Sequence, residues 1–262
     1  MKTSFYKYQG NGNDFVILDH RTIHPSLSSE QIQFLCNRHF GIGADGLMLL
    51  ETHDSLDFSL KYFNSDGNES TMCGNGGRCM TALAHELGII KHKATFQAVD
   101  GLHEAEILSQ NDRQYTIKLK MKDTKPGQVF EDGYWIDTGS PHFVTFVPSA
   151  DEVDVFARGR ALRTDRRFAP DGCNVNFVQH TPSGIYVRTY ERGVENETLS
   201  CGTGVTASAL ISAFLRQHGQ GCYRVMTRGG EFKVHFHQSG QEFSEVYLEG
   251  PAVFVYKGQI MI

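Results

Sequence analysis

The sequence predicts an α+β fold built from two copies of one half-length unit, and three observations predict it. The chain repeats itself: Cys73 lies in Thr71-Met72-Cys73-Gly74-Asn75-Gly76 and Cys201 in Leu199-Ser200-Cys201-Gly202-Thr203-Gly204, 201 − 73 = 128 positions later. The same offset carries Asn68-Glu69-Ser70 onto Asn196-Glu197-Thr198, Phe15-Val16 onto Phe143-Val144, and Leu47 onto Val175. Strand-like segments outnumber helical ones and do not alternate with them one for one, which favours α+β over a doubly wound α/β fold. Finally, one helix in each half is apolar around much of its circumference, which predicts burial within a sheet wrapped around it. A chain of 262 residues has room for two domains of ordinary size.

The elements follow in order. Residues 58–63 read as a strand, and Asn64-Ser65-Asp66-Gly67-Asn68 supplies turn residues after it. A helix runs from Gly74 to Leu87, with Gly88 as its stop. Residues 115–119 alternate in strand fashion. A linker is expected over residues 121–128, with Lys125-Pro126-Gly127 as its breaker, so the domains are 1–122 and 123–250. In the second half, residues 185–190 form the matching strand. The matching helix runs from about Gly202 through Ala207, Leu210, Ile211 and Leu215 to Gly219, and residues 252–256 alternate again. Each half therefore reads as strands, a single helix, and strands.

Composition narrows the function. Hydrophobic residues make up 40% and charged residues 21%, as in a folded soluble protein, and no apolar run approaches the length of about 18 residues that spans a membrane. The N-terminus turns polar too early for a signal peptide. Net charge is −5 with scattered basic residues, which argues against a nucleic-acid partner. Six cysteines occur without a Cys-x-x-Cys, in a chain neither short nor visibly secreted, so reduced thiols and a cytoplasmic location are expected. His235 and His237 share one strand face without further ligands at useful spacing, and no metal is expected.

Both repeated cysteines precede a Gly-x-Gly that opens a helix. The unpaired N–H groups of a helix start, with the helix dipole, attract a carboxylate and stabilise a thiolate beside it. A single such cysteine is more often a packing choice than a reactive group. Its duplication reverses that judgement, because packing does not demand cysteine at both equivalent positions. Two thiols can serve a reaction that takes a proton from one face of a carbon and returns one to the other. A non-catalytic module that clamps an amino acid would explain the duplication but not the paired cysteines. Cys36, Cys79, Cys173 and Cys222 have no repeat partner and read as structural.

The ordered set Gly12-Asn13-Asp14-Phe15-Val16, Gly41-Ile42-Gly43-Ala44-Asp45-Gly46, Phe63-Asn64-Ser65-Asp66-Gly67, Cys73-Gly74-Asn75-Gly76, Gly139-Ser140-Pro141-His142, Asn174-Val175-Asn176-Phe177, Tyr190-Glu191-Arg192-Gly193, Cys201-Gly202-Thr203-Gly204 and Gly250-Pro251-Ala252-Val253 resembles the diaminopimelate epimerase family. The resemblance implies two pseudo-symmetric domains, each a mixed β-sheet curled around a central helix. A C-terminal strand, about 251–262, returns to the first domain, and the active site lies in the cleft between the two. It implies inversion at one α-carbon of LL-diaminopimelate to give the meso isomer, feeding lysine and peptidoglycan synthesis, with no cofactor. On this resemblance Cys73 and Cys201 are the two bases, Cys201 accepting and Cys73 donating in the LL-to-meso direction. Gly74, Asn75, Gly202 and Thr203 surround the reacting carboxylate. Asn13, Asn64, Asn174, Glu191 and Arg192 hold the distal end of the small-molecule substrate, and His142 and Glu191 tune cysteine ionisation.

The chain departs from the family pattern at Ser140, where asparagine is frequent, and at Gly46, where some members carry a polar side chain. The resemblance also points to a homodimer. The rival is a proline- or hydroxyproline-type racemase of related fold. Asn75 stands where that family favours histidine, and Tyr190-Glu191-Arg192-Gly193 implies a distal charged group that proline lacks.

Overall fold

The computed structural model describes residues 2–22, 26–216 and 220–262. Two compact units emerge: Met1–Leu119 with Gly250–Ile262, and Lys120–Glu249. The first comprises β1 (Lys2–Gly10), β2 (Asn13–Asp19), α1 (Ser29–Cys36), β3 (Gly46–Glu51), β4 (Phe58–Asn64), β5 (Glu69–Ser70), α2 (Gly74–Glu86), β6 (Lys93–Ala98), β7 (Gly101–Asn111) and β8 (Gln114–Lys120). The second comprises β9 (Pro126–Phe130), β10 (Gly133–Asp137), β11 (Pro141–Phe146), α3 (Val155–Arg163), β12 (Asn174–Thr181), β13 (Gly184–Glu191), β14 (Asn196–Thr198), α4 (Gly202–Arg216), β15 (Gln220–Thr227) and β16 (Gly230–Ser239). The last strand, β17 (Glu242–Met261), contributes to both units.

In the first unit the sheet runs β1, β2, β3, β4, β6, β7, β8 in mixed sense, with β2–β3 and β4–β6 parallel. The late part of β17 closes it, pairing with β1 through Val253–Met261 positions and with β8 at Gly250 to Val253. The second unit repeats this order through β10, β11, β12, β13, β15 and β16 to the early part of β17, with β9 beside β10. A bridge from Thr124 to Phe243 closes it, at the positions equivalent to Ala252 and Tyr115 in the first unit. Closure removes the free edges that would otherwise invite further pairing.

The central helices fill these closed sheets. Residues 74–84 of α2 are all buried, and so is nearly all of α4 as far as Ala213. Small residues let a helix fit so narrow a space. Their hydroxyls are satisfied locally: Thr81 donates to Gly77 O, Thr206 to Gly202 O, Ser208 to Gly204 O and Ser212 to Ser208 O, all at 2.7–2.9 Å. The α+β class and the helix-centred sheets stand as the sequence predicts.

Two local expectations need correction. Each unit has a second, short helix, α1 or α3, packed outside the sheet on β3 or on β12 and β13. Helix α1 is opened by a capping box between Ser28 and Gln31, and α3 by Asp154, whose carboxylate accepts from Ala157 N at 2.9 Å. The residues expected to form a linker instead contain β9, because proline at the first position of a strand forfeits no needed N–H. Residues 252–256 are strand as expected, within the 20-residue β17. The expected end of the second helix at Gly219 lies outside the described residues.

Candidate active-site residues

In the first unit the site begins at a two-residue hairpin. Asn11 and Gly12 both adopt the left-handed conformation, φ 52° and 84°, which suits a right-twisted strand pair and places Asn13 at the start of β2. Cys73 caps the N-terminus of α2, and its Sγ donates to Asn13 Oδ1 at 3.3 Å. The same oxygen accepts from Asn75 Nδ2 at 3.2 Å, while Asn13 Nδ2 donates to Asp45 Oδ2 at 2.8 Å. Asn75 Oδ1 accepts from Arg78 Nη2 at 2.8 Å. Arg78 is wholly buried and also donates to Gly74 O, Asn11 Oδ1 and Pro251 O at 3.0–3.2 Å. Burial lowers its pKa to about 10, so it remains a cation at neutral pH. Asn64 is exposed at the end of β4. It pairs across the ladder with Gly46, where an added Cβ would lie 2.5 Å from Tyr62 Cε2 and 2.6 Å from Phe63 O. That crowding accounts for the missing polar side chain at position 46.

In the second unit, Cys201 immediately precedes α4 and its Sγ lies 3.4 Å from Thr203 Oγ1. Thr203 Oγ1 lies 2.9 Å from His142 Nε2, and Ser140 Oγ lies 3.2 Å from the same nitrogen. Asn174 Nδ2 donates to Ser140 Oγ at 2.8 Å, and its Oδ1 accepts from the Arg192 backbone N at 2.8 Å. Cys201, Thr203, His142, Ser140, Asn174 and Arg192 thus form one hydrogen-bonded line. Glu191 is half-buried at the end of β13, opposite Asn196. Gly204 lets the helix start approach: a Cβ there would lie 2.3 Å from Asn176 Oδ1.

The tautomer of His142 follows from its neighbours. Asn176 Nδ2 donates to Phe143 O at 3.1 Å, so the atom 3.0 Å from His142 Nδ1 is an N–H donor. His142 Nδ1 therefore accepts, and the ring proton sits on Nε2, pointing toward the Thr203 and Ser140 hydroxyls. Complete burial, outweighing the attraction of Asp137, pushes the His142 pKa down to about 3. Because the folded value lies below the ordinary 6.5, the unfolded chain alone takes up this proton as pH falls. The stabilisation is whole above pH 6.5 and erodes toward pH 3, by about 1.4 kcal/mol per unit. Urea unfolding at pH 7 and pH 5 should show wild type losing about 2 kcal/mol more than His142→Asn. Equal losses would assign the acid sensitivity to other groups.

The remaining thiols differ in kind. Burial pushes Cys36 up to about 11, and Cys79 and Cys173 up to about 12, so these three stay protonated at neutral pH. Cys222 is exposed on β15. His235, far from these clusters in sequence, has its Nε2 2.7 Å from Glu249 Oε2. Arg78 is the residue that sequence reasoning passed over. Its signal was a lone guanidinium five positions after Cys73, in a helix with no other Lys, Arg, Asp or Glu before Glu86.

Comparisons with known proteins bear on this arrangement. Among solved structures, a phenazine biosynthesis protein from Bacillus anthracis superposes with a TM-score of 0.79 over 100% of both chains, at 14% identity. A probable proline racemase from Agrobacterium radiobacter does so with 0.73, covering 99% of this chain and 93% of that one at 15% identity. At such identities these likenesses speak for the fold alone. The sequence model described as diaminopimelate epimerase matches residues 5–124 and 134–255. The diaminopimelate epimerase of Flavobacterium psychrophilum is 47% identical, covering 97% of this chain and 99% of its own length. That of Chlorobaculum tepidum is 42% identical over the same shares. Identity of this order, sustained through both repeats, means that the chain belongs to the diaminopimelate epimerase family.

Proposed function

We infer that the protein is an isomerase that epimerises LL-diaminopimelate to meso-diaminopimelate by proton transfer between two cysteines. The observation that carries this reading is the doubled Cys-Gly-x-Gly helix start in a chain of this family. In the LL-to-meso direction the Cys201 thiolate takes the α-proton. Negative charge then develops on the adjoining carboxylate, where the N–H groups at the starts of α2 and α4 offset it. The Cys73 thiol delivers its proton to the opposite face, which leaves Cys201 as thiol and Cys73 as thiolate. Exchange with solvent restores the starting pair. Asn13, Asn64, Asn174, Glu191 and Arg192 form the shell for the distal amino-acid end, and His142 acts on Cys201 through the Thr203 hydroxyl. The α-proton is far less acidic than a thiol, so exclusion of water and the helix termini carry much of the reaction. Reduced thiols fit a cytoplasmic enzyme, and a homodimer is the assembly this family membership suggests.

The test is isotopic. Incubated in D2O, the enzyme should place deuterium at the α-carbon of newly formed meso-diaminopimelate and leave L-proline unlabelled. Labelling of L-proline instead would favour the proline-type rival, which the side chain of Arg192 and the asparagine at position 75 already disfavour. Absence of label from both would leave the fold as that of a binding module.

A further inference from the structure

The two central helices begin on unlike floors. An added Cβ at Gly76, in the first turn of α2, would lie 3.0 Å from Met48 Sδ and 3.6 Å from Phe15 Cε1. At Gly204, 204 − 76 = 128 positions later, it would lie 2.3 Å from Asn176 Oδ1, with His142 Cε1 and Thr189 Oγ1 at 3.3 Å. Met48 and Asn176 are related by the same offset, 176 − 48 = 128. The repeat therefore has an apolar floor in the first unit and a polar one in the second, where Asn176, His142 and Thr189 are all buried. Burying polar side chains beneath a helix is unfavourable unless each finds its partners.

The partners are present, and their donors run in one direction. Asn176 and Thr189 face each other across β12 and β13, and Thr189 Oγ1 donates to Asn176 Oδ1 at 3.0 Å. Asn176 Nδ2 has two protons, one for Phe143 O at 3.1 Å and one for His142 Nδ1 at 3.0 Å. Turning the amide over would set its oxygen against Phe143 O, a backbone carbonyl that can only accept. The direction continues from His142 Nε2–H toward Thr203 Oγ1 at 2.9 Å. Thr203 is also held by its main chain, where its O accepts from Thr138 Oγ1 at 2.9 Å. Donors aligned in this way polarise one another. In the first unit Asp14 occupies the place of His142 in the repeat, 142 − 14 = 128, and pairs with Lys7 and Arg38.

We propose that Asn176 is a positioning residue: anchored by Phe143 O and Thr189, it fixes His142 with Nε2–H aimed at the Thr203 hydroxyl, and so sets the second helix start apart from the first. This rests on the reading of Cys201 as one of the two bases, with His142 acting on it through Thr203. Asn176 is fully buried under the first turn of α4 and acts only through the imidazole.

The test reads the ring nitrogens of His142 without substrate, by long-range proton–nitrogen NMR on protein labelled in histidine with the heavy nitrogen isotope. Signals that vanish in His142→Asn are those of His142. Wild type at neutral pH should show Nε2 protonated and Nδ1 bare. Asn176→Asp replaces the donor to Nδ1 by an acceptor of the same shape, so Nδ1 should gain a proton. Its kcat/KM for diaminopimelate should fall about tenfold to a hundredfold, through kcat rather than KM. Asn176→Met gives the second unit the floor of the first, and serves alone should Asn176→Asp not fold, as judged by circular dichroism. There His142 should leave its single tautomer, and its two nitrogen signals should draw together. A wild-type ring carrying its proton on Nδ1, or an unaltered tautomer in either folded variant, overturns the proposal. So does an altered tautomer with kcat unchanged. The expected spectra with no deuterium labelling of either amino acid would sink the epimerase reading alone. Labelled meso-diaminopimelate with unaltered spectra would sink only the role of Asn176.

Discussion

Replacing either Cys73 or Cys201 by alanine is expected to lower epimerisation of LL-diaminopimelate by about a thousandfold or more, each on its own, because inversion needs a proton acceptor and a proton donor on opposite faces. The two losses should differ in what survives. With Cys73 absent, Cys201 can still remove the α-proton of the LL isomer and return a deuteron to the same face. Solvent exchange without inversion should therefore persist in Cys73→Ala. Cys201→Ala should show neither exchange nor inversion from the LL side, and should exchange the meso isomer instead. The assay is deuterium incorporation in D2O followed beside stereochemical analysis of the product. Near wild-type inversion by either variant would remove the two-base mechanism.

The second large effect is expected at Arg192. Its backbone N is tied to Asn174 Oδ1 at 2.8 Å, so the root of the side chain is fixed, while its guanidinium Nη1 lies 3.5 Å from Asp171 O. A guanidinium grips a carboxylate with two parallel N–H bonds, which an ammonium cannot reproduce. Arg192→Lys should therefore cost about 2–5 kcal/mol in transition-state binding, read as kcat/KM on diaminopimelate. Discrimination against amino acids lacking a distal carboxylate should fall with it. Unchanged kcat/KM would make Arg192 a structural residue at the end of β13.

Much of this molecule was legible in the sequence because the repeat doubles every signal. A 13-residue helix after Cys73 and a 15-residue helix after Cys201 support one another, and their apolar character states that each is enclosed. The short helices escaped because eight or nine residues hold too few turns to display a face, although Ser28 with Gln31, and Asp154, marked their starts. Pro126 was misleading for a physical reason: it breaks helices and central strands but suits the first residue of a strand. Among the site residues, side-chain direction was what the sequence could not carry. Asn75 is 1% exposed and its amide spans Asn13 and Arg78, partners that its place after Cys73-Gly74 does not announce. Nor does an arginine in a helix announce that its charge will be enclosed among amide and carbonyl oxygens.

The exchange of closing strands has a consequence for the order in which the chain can become structured. Lys2 to Gln9 find their β17 partners between Val253 and Met261, almost the whole chain away in sequence. As residues emerge in order, the first unit must wait for the last segment before its ring of strands is complete, while its apolar helix α2 is already present. The second unit has no such delay, since Thr124 meets Phe243 before Gly250 is reached. Pairing over so long a separation is slow to form. The half that begins synthesis first is therefore the half that finishes folding last, and Cys73 acquires its final surroundings only when Pro251 arrives beside Arg78.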